Sequence, residues 1–198
     1  MKIYGDSQSG NCYKIALLMS LLEIPHDWID IDILKDETKS PLFLAKNPSG
    51  KIPLLELDDG RCLAESNAIL NYLATGTDFL SEDPFEYAKI QQWQFFEQYS
   101  HEPFIAVARF IARYLGLPDD RKADYESKQE GGHKALRVMD QQLSITPFLI
   151  GSRLTTADIS LYGYTHVAYE GGFDLSLYPS IERWLMRIQA HPKYIGMA

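Results

Sequence analysis

Two hydrophobic periods alternate through the first 75 residues, and beyond them only one remains. Residues 2–4 read as a short strand. Ile15, Leu18, Met19 and Leu22 then fall at helical spacing before Pro25 stops the helix. Ile29, Ile31 and Ile33 alternate with Asp30 and Asp32, the period of a half-buried strand. A short helix over 41–46 follows, then a strand over 52–57. Asp58-Asp59-Gly60 makes a hairpin turn, 61–63 a return strand and 67–74 a helix. The order βαβ-α-ββα describes a small α/β unit.

The texture changes over the polar stretch 76–84, and no strand pattern occurs after it. Residues 85–117 are long for one helix: Pro103 is expected to kink it, and Gly116 with Pro118 to end it. Residues 120–143 form a second long helix, weakened at Gly131-Gly132 by about 1 kcal/mol per glycine. Thr155-Thr156-Ala157-Asp158 carries the spacing of a capping box with Asp in place of Glu. Ile181, Trp184, Leu185 and Ile188 mark a last amphipathic helix. The expected division is an α/β domain over 1–76, a linker over 77–84 and an all-α domain over 85–198.

Charge narrows the partners. A net charge of −8 lacks the basic footprint that a nucleic acid or an anionic membrane demands. The longest apolar run, 15–22, is far too short to span a bilayer, and no apolar leader precedes the first strand, so the expected location is cytoplasmic. Five scattered histidines and two cysteines offer no metal-ligand spacing, and no metal is expected. Cys12 and Cys62 read as structural residues.

Three segments carry chemistry. Ser9-Gly10-Asn11-Cys12-Tyr13-Lys14 lies between the first strand and the first helix. Asn47-Pro48-Ser49-Gly50-Lys51-Ile52-Pro53-Leu54-Leu55 leads into the third strand, and Leu63-Ala64-Glu65-Ser66-Asn67-Ala68-Ile69 into the third helix. With their spacing and the later capping box, these segments resemble the cytosolic glutathione transferase superfamily, of a bacterial, serine-using, theta-like or nu-like type. The resemblance covers nearly the whole chain. It implies a thioredoxin-like N-terminal domain that binds glutathione, an all-α C-terminal helical bundle, and a homodimer in which the helices from Asn67 and Phe85 meet a partner.

The resemblance also implies roles. Ser9 matches the catalytic hydroxyl of the serine-using classes, with Asn11 as a helper. The chemistry fits that role, because a thiol near pKa 8.5 is only about 3% thiolate at pH ~7. A hydroxyl and the unpaired N–H groups of a first helical turn can meet one anionic sulfur. Ile52, ahead of Pro53, is expected to pair with the peptide backbone of glutathione like an added strand. Glu65 and Ser66 suit the ammonium and carboxylate of its γ-glutamyl end. Lys39 and Lys51 match positions that hold the glycyl carboxylate in some plant-type relatives, and Gly50 stands where some relatives carry a glutathione-contacting histidine. A small hydrophobic electrophile is the expected second substrate, with Phe104, Ile105, Ala108 and Arg109 as candidates on the kinked helix. The competing reading is a non-catalytic binding or regulatory protein on the same fold, as in elongation-factor gamma subunits.

Overall fold

The computed structural model describes residues 1–197, which fall into two units. The first takes Met1–Thr75 together with the C-terminal residues from Lys193 onward, and the second takes Gly76–Pro192.

The first unit runs β1 (Lys2–Gly5), α1 (Gly10–Leu21), β2 (Asp27–Asp30), α2 (Pro41–Lys46), β3 (Leu54–Glu56), β4 (Cys62–Ala64) and α3 (Ser66–Ala74). Its sheet has the order β2-β1-β3-β4. The helical crossover α1 makes β2 parallel to β1, whereas β3 and β4 pair antiparallel across a tight turn. This is the thioredoxin-like α/β arrangement. Ile3 and Leu55 are cross-strand partners, and with Ile15, Leu18 and Ile69 they are fully buried, so α1 and α3 share one apolar core with the sheet.

The second strand is shorter than the Ile29-Ile31-Ile33 alternation predicts. Asp32 ends it: its carboxylate accepts from the Leu34 N–H at 2.9 Å and turns Ile33–Lys35 into a 3₁₀ turn. The C-terminal residues group with the first unit rather than with the helices. Tyr13 Oη donates to the Ile195 carbonyl at 2.7 Å, and Ser20 Oγ to the Lys193 carbonyl at 2.8 Å. Lys193 also pairs with Glu23 at 2.5 Å.

The second unit is helical: α4 (Pro84–Phe96), α5 (Glu102–Arg109), α6 (Lys122–Leu143), α7 (Thr156–Thr165) and α8 (Pro179–Gln189). A π turn over Glu97–His101 joins α4 to α5 just ahead of Pro103, where the helix absorbs the missing proline N–H. The two glycines inside α6 do not break it. A Cβ on Gly131 would stand 2.2 Å from the Phe104 ring, and one on Gly132 would stand 2.3 Å from Phe173. Their low helix propensity is offset by the close approach of two aromatic rings, a contact no larger residue permits.

The capping box forms at the start of α7. Asp158 is fully buried, and its Oδ2 accepts from the backbone N–H and the hydroxyl of Thr155, both at 3.0 Å. Its Oδ1 accepts from Leu149 N–H at 2.8 Å and Trp184 Nε1 at 2.9 Å. One carboxylate therefore ties the loop before α7, the start of α7 and the middle of α8.

Candidate functional site

The three chemistry-bearing segments all lie in the first unit. Ser9 is the N-cap residue of α1, with extended backbone (φ −79°, ψ 124°), and its carbonyl accepts the first helical bond from Tyr13 N–H at 2.8 Å. Its hydroxyl makes no capping bond to the helix. Burial pushes the thiol of nearby Cys12 up to about 12. Cys12 is thus a protonated, fully buried core residue and no nucleophile at neutral pH.

Tyr4, the other hydroxyl near the first turn, is held elsewhere. Its Oη donates to Glu56 Oε2 at 2.6 Å, and Lys46 Nζ meets the same oxygen at 2.5 Å. The hydrogen bond to Glu56, then burial, pushes the Tyr4 phenol above its ordinary value. The Tyr4 hydroxyl is thus already engaged by Glu56.

The loop into β3 is shaped by buried Asn47, whose Nδ2 donates to the Lys51 carbonyl at 2.7 Å and whose Oδ1 accepts from Ser49 N–H at 3.2 Å. The Ile52-Pro53 peptide is cis. Ile52 precedes β3, outside the register that pairs Leu54 with Tyr4 and Ala64, so an extended ligand backbone can align there without displacing a ladder bond. Lys39 reaches over the same loop, its Nζ 3.4 Å from the Gly50 carbonyl. Gly50 has φ +61°, and a Cβ there would lie 2.8 Å from that ammonium. Lys39 therefore fills the space that a side chain at position 50 would take. Lys39 and Lys51 are both exposed.

Glu65 is the N-cap residue of α3 with φ +69° and ψ 113°, a backbone that costs a non-glycine residue about 1–3 kcal/mol. Its side chain is exposed and makes no capping bond. Ser66 begins α3 and is 6% exposed. Its Oγ donates to Asn11 Oδ1 at 3.3 Å, and that same oxygen accepts from Lys14 Nζ at 2.7 Å. Asn11 thus engages Ser66 as well as belonging to the turn that carries Ser9. Lys14 is not among the residues to which the resemblance gives a role. In sequence it shares a helical face with Leu17, Leu18 and Leu21, and a lone lysine on such an apolar stripe is the signal that finds it.

The electrophile candidates lie on α5 in the second unit. Phe104 is partly exposed and borders a cavity of about 290 Å³ with Phe96, Tyr99 and Lys134. Ile105 and Ala108 are fully buried against the Gly132 and Gly171 backbones. Arg109 is 3% exposed. Its Nε donates to Glu170 at 2.6 Å, and its guanidinium lies 5.8 Å from the Tyr114 ring centre.

Residues 8–75 match the family model described as glutathione S-transferase, N-terminal domain, and residues 93–192 match the C-terminal domain. The chain is 58% identical to a glutathione S-transferase from Pseudomonas fluorescens, whose crystal structure superposes with a TM-score of 0.98 over 99% of this chain and 98% of that one. It is 28% identical to glutathione S-transferase F13 of Arabidopsis thaliana over 100% of this chain and 94% of that protein. Elongation factor 1-gamma of Artemia salina is 35% identical over 79% of this chain, but the match spans only 36% of that longer protein. The chain belongs to the glutathione S-transferase family of enzymes.

Proposed function

We propose that this protein binds glutathione along the cleft of its first unit and lowers the pKa of the glutathione thiol for attack on small hydrophobic electrophiles. The observation that carries the reading is Ser9, a helix-capping residue by position whose hydroxyl is not used for capping. It can donate to an anionic sulfur, aided by the N–H groups of the first turn of α1. The donor set also suits the tripeptide: Lys39 and Lys51 for the glycyl carboxylate, Ile52 for the peptide backbone, Ser66 for the γ-glutamyl carboxylate and Glu65 for its ammonium. Bound glutathione supplies the nucleophilic sulfur, while the protein residues orient it and hold it as the anion. The same activation serves reduction of organic hydroperoxides or disulfides, and the role is detoxification in the cytoplasm. Phe104, with exposed ring surface on α5, is the candidate that faces the electrophile.

Titration calorimetry tests the site. Glu65→Ala and Ser66→Ala each remove a partner from a charged group, worth roughly 1.5–3 kcal/mol, so glutathione affinity should fall about ten- to a hundredfold. Unchanged affinity in both variants would remove the γ-glutamyl site.

The likeness to elongation factor 1-gamma favours one second reading, a glutathione-transferase-like binding protein without catalysis. Retention of Ser9 together with Glu65 and Ser66 supports the enzyme over that alternative. Both readings are compatible with a homodimer. Phe85, Phe95 and Tyr99 expose 76%, 68% and 88% of their surface along α4 and the turn after it, and such a row of aromatics fits a two-fold contact. Light scattering should give twice the chain mass of 22.6 kDa, and the monomer mass at micromolar concentration would overturn the dimer.

A further inference from the structure

Lysine is rarely buried, because its four-methylene stem normally carries the ammonium back to water. Lys14 has no exposed surface, and it ranks in size with Trp184 and Tyr162 among the fully buried side chains. Its ammonium lies at the start of α1, 2.7 Å from Asn11 Oδ1 and 3.5 Å from Ser66 Oγ. Ser66 in turn donates its hydroxyl proton to Asn11 Oδ1 at 3.3 Å. These three side chains join α1 to the first residue of α3, 52 positions further along the chain.

An ammonium only donates, an amide oxygen only accepts, and a hydroxyl carries a single proton. When the Ser66 proton leaves Asn11 for another acceptor, the Asn11 oxygen still has Lys14. The Ser66 oxygen keeps a positive charge behind it, and no buried acceptor is left without a donor. The arrangement therefore makes the Ser66 proton available to an anion arriving at the start of α3, where backbone N–H groups already point outward. A cation in a poorly solvated site also acts on such an anion more strongly than a surface lysine does.

We propose that Lys14 is a positioning residue for the γ-glutamyl carboxylate: its buried ammonium anchors Asn11 and Ser66 and sets the positive field of that subsite. The proposal rests on the glutathione reading above and names the part of the ligand on which Lys14 acts.

The test compares two ligands by titration calorimetry: glutathione, and 4-aminobutyryl-cysteinylglycine, which lacks only the glutamyl α-carboxylate. The unaltered protein should bind glutathione at least tenfold more tightly than the analogue. Lys14→Gln, which keeps a donor and removes the charge, and Lys14→Met should each weaken glutathione about tenfold while holding the analogue within twofold. Equal weakening of both ligands would show a merely structural lysine and overturn the proposal. If the unaltered protein fails to discriminate between the ligands, the γ-glutamyl reading itself falls, and this inference with it. Should neither variant fold, the comparison moves to the unaltered protein with ¹³Cε-labelled lysine. The resonance of the solvent-shielded lysine should then shift with glutathione and stay in place with the analogue, and the same shift with both ligands would overturn the proposal.

Discussion

Asp158→Ala should cost the helical unit about 4 kcal/mol or more, a large part of the 5–15 kcal/mol that holds a typical domain together. The carboxylate is fully buried and accepts four hydrogen bonds, from Leu149 N–H, Thr155 N–H, Thr155 Oγ and Trp184 Nε1. Alanine leaves every one of those donors without its acceptor, and each buried orphan costs roughly 1–3 kcal/mol. Asp158→Asn keeps an oxygen for two of them but sets an amide NH₂ against the other two donors, so it should cost about half as much. Urea unfolding followed by tryptophan fluorescence reads the loss directly, because Trp184 is one of the four donors. A midpoint within 1 kcal/mol of the unaltered protein would show that the loop before α7 and α8 hold their places without this carboxylate.

Ser9→Ala should separate turnover from binding. In the proposed site Ile52, Glu65, Ser66 and the two lysines address the tripeptide away from its sulfur, so affinity should change less than about threefold, whereas the sulfur loses a hydrogen bond worth roughly 1.5–3 kcal/mol in its charged state. In the unaltered protein the bound thiol should titrate about 1–3 units below its free value near 8.5. The variant should move it back by about 1–2 units and cut the rate at pH 7 about tenfold. Thiolate absorbance against pH measures this in a Cys62→Ser background. Cys12, pushed up to about 12 by burial, contributes nothing below pH ~10. A bound thiol that titrates like free glutathione would refute activation by the protein and favour the binding-protein reading. A low value unmoved by Ser9→Ala would transfer the role to another donor.

The features legible in the sequence are those whose physics is local. The capping box needs only the i to i+3 spacing of Thr155 and Asp158, and the parallel β1–β2 pair follows from one helix between two strand periods. Features set by distant partners were not legible. Gly131-Gly132 reads as a weak point in α6 because the rings that require it, Phe104 and Phe173, lie about 27 and 41 residues away in the chain. Local chemistry also overrode periodicity once, where Asp32 captured the Leu34 N–H and Ile33 left the strand. In the candidate site, Ser9 and the Glu65-Ser66 pair stand out by motif. The link among Asn11, Lys14 and Ser66 does not, since it joins residues 52 positions apart.

The grouping of the last residues with the first unit bears on the order in which the protein is made. Thr75 and Lys193 belong to the same unit, although 118 positions separate them. At roughly 5–20 residues per second, a ribosome takes about 6–24 s to cover that distance. Throughout that interval α1 waits for the carbonyls that Tyr13 and Ser20 address, those of Ile195 and Lys193. The unit that emerges first is thus completed last, and the helical unit has the topology of an insertion within it.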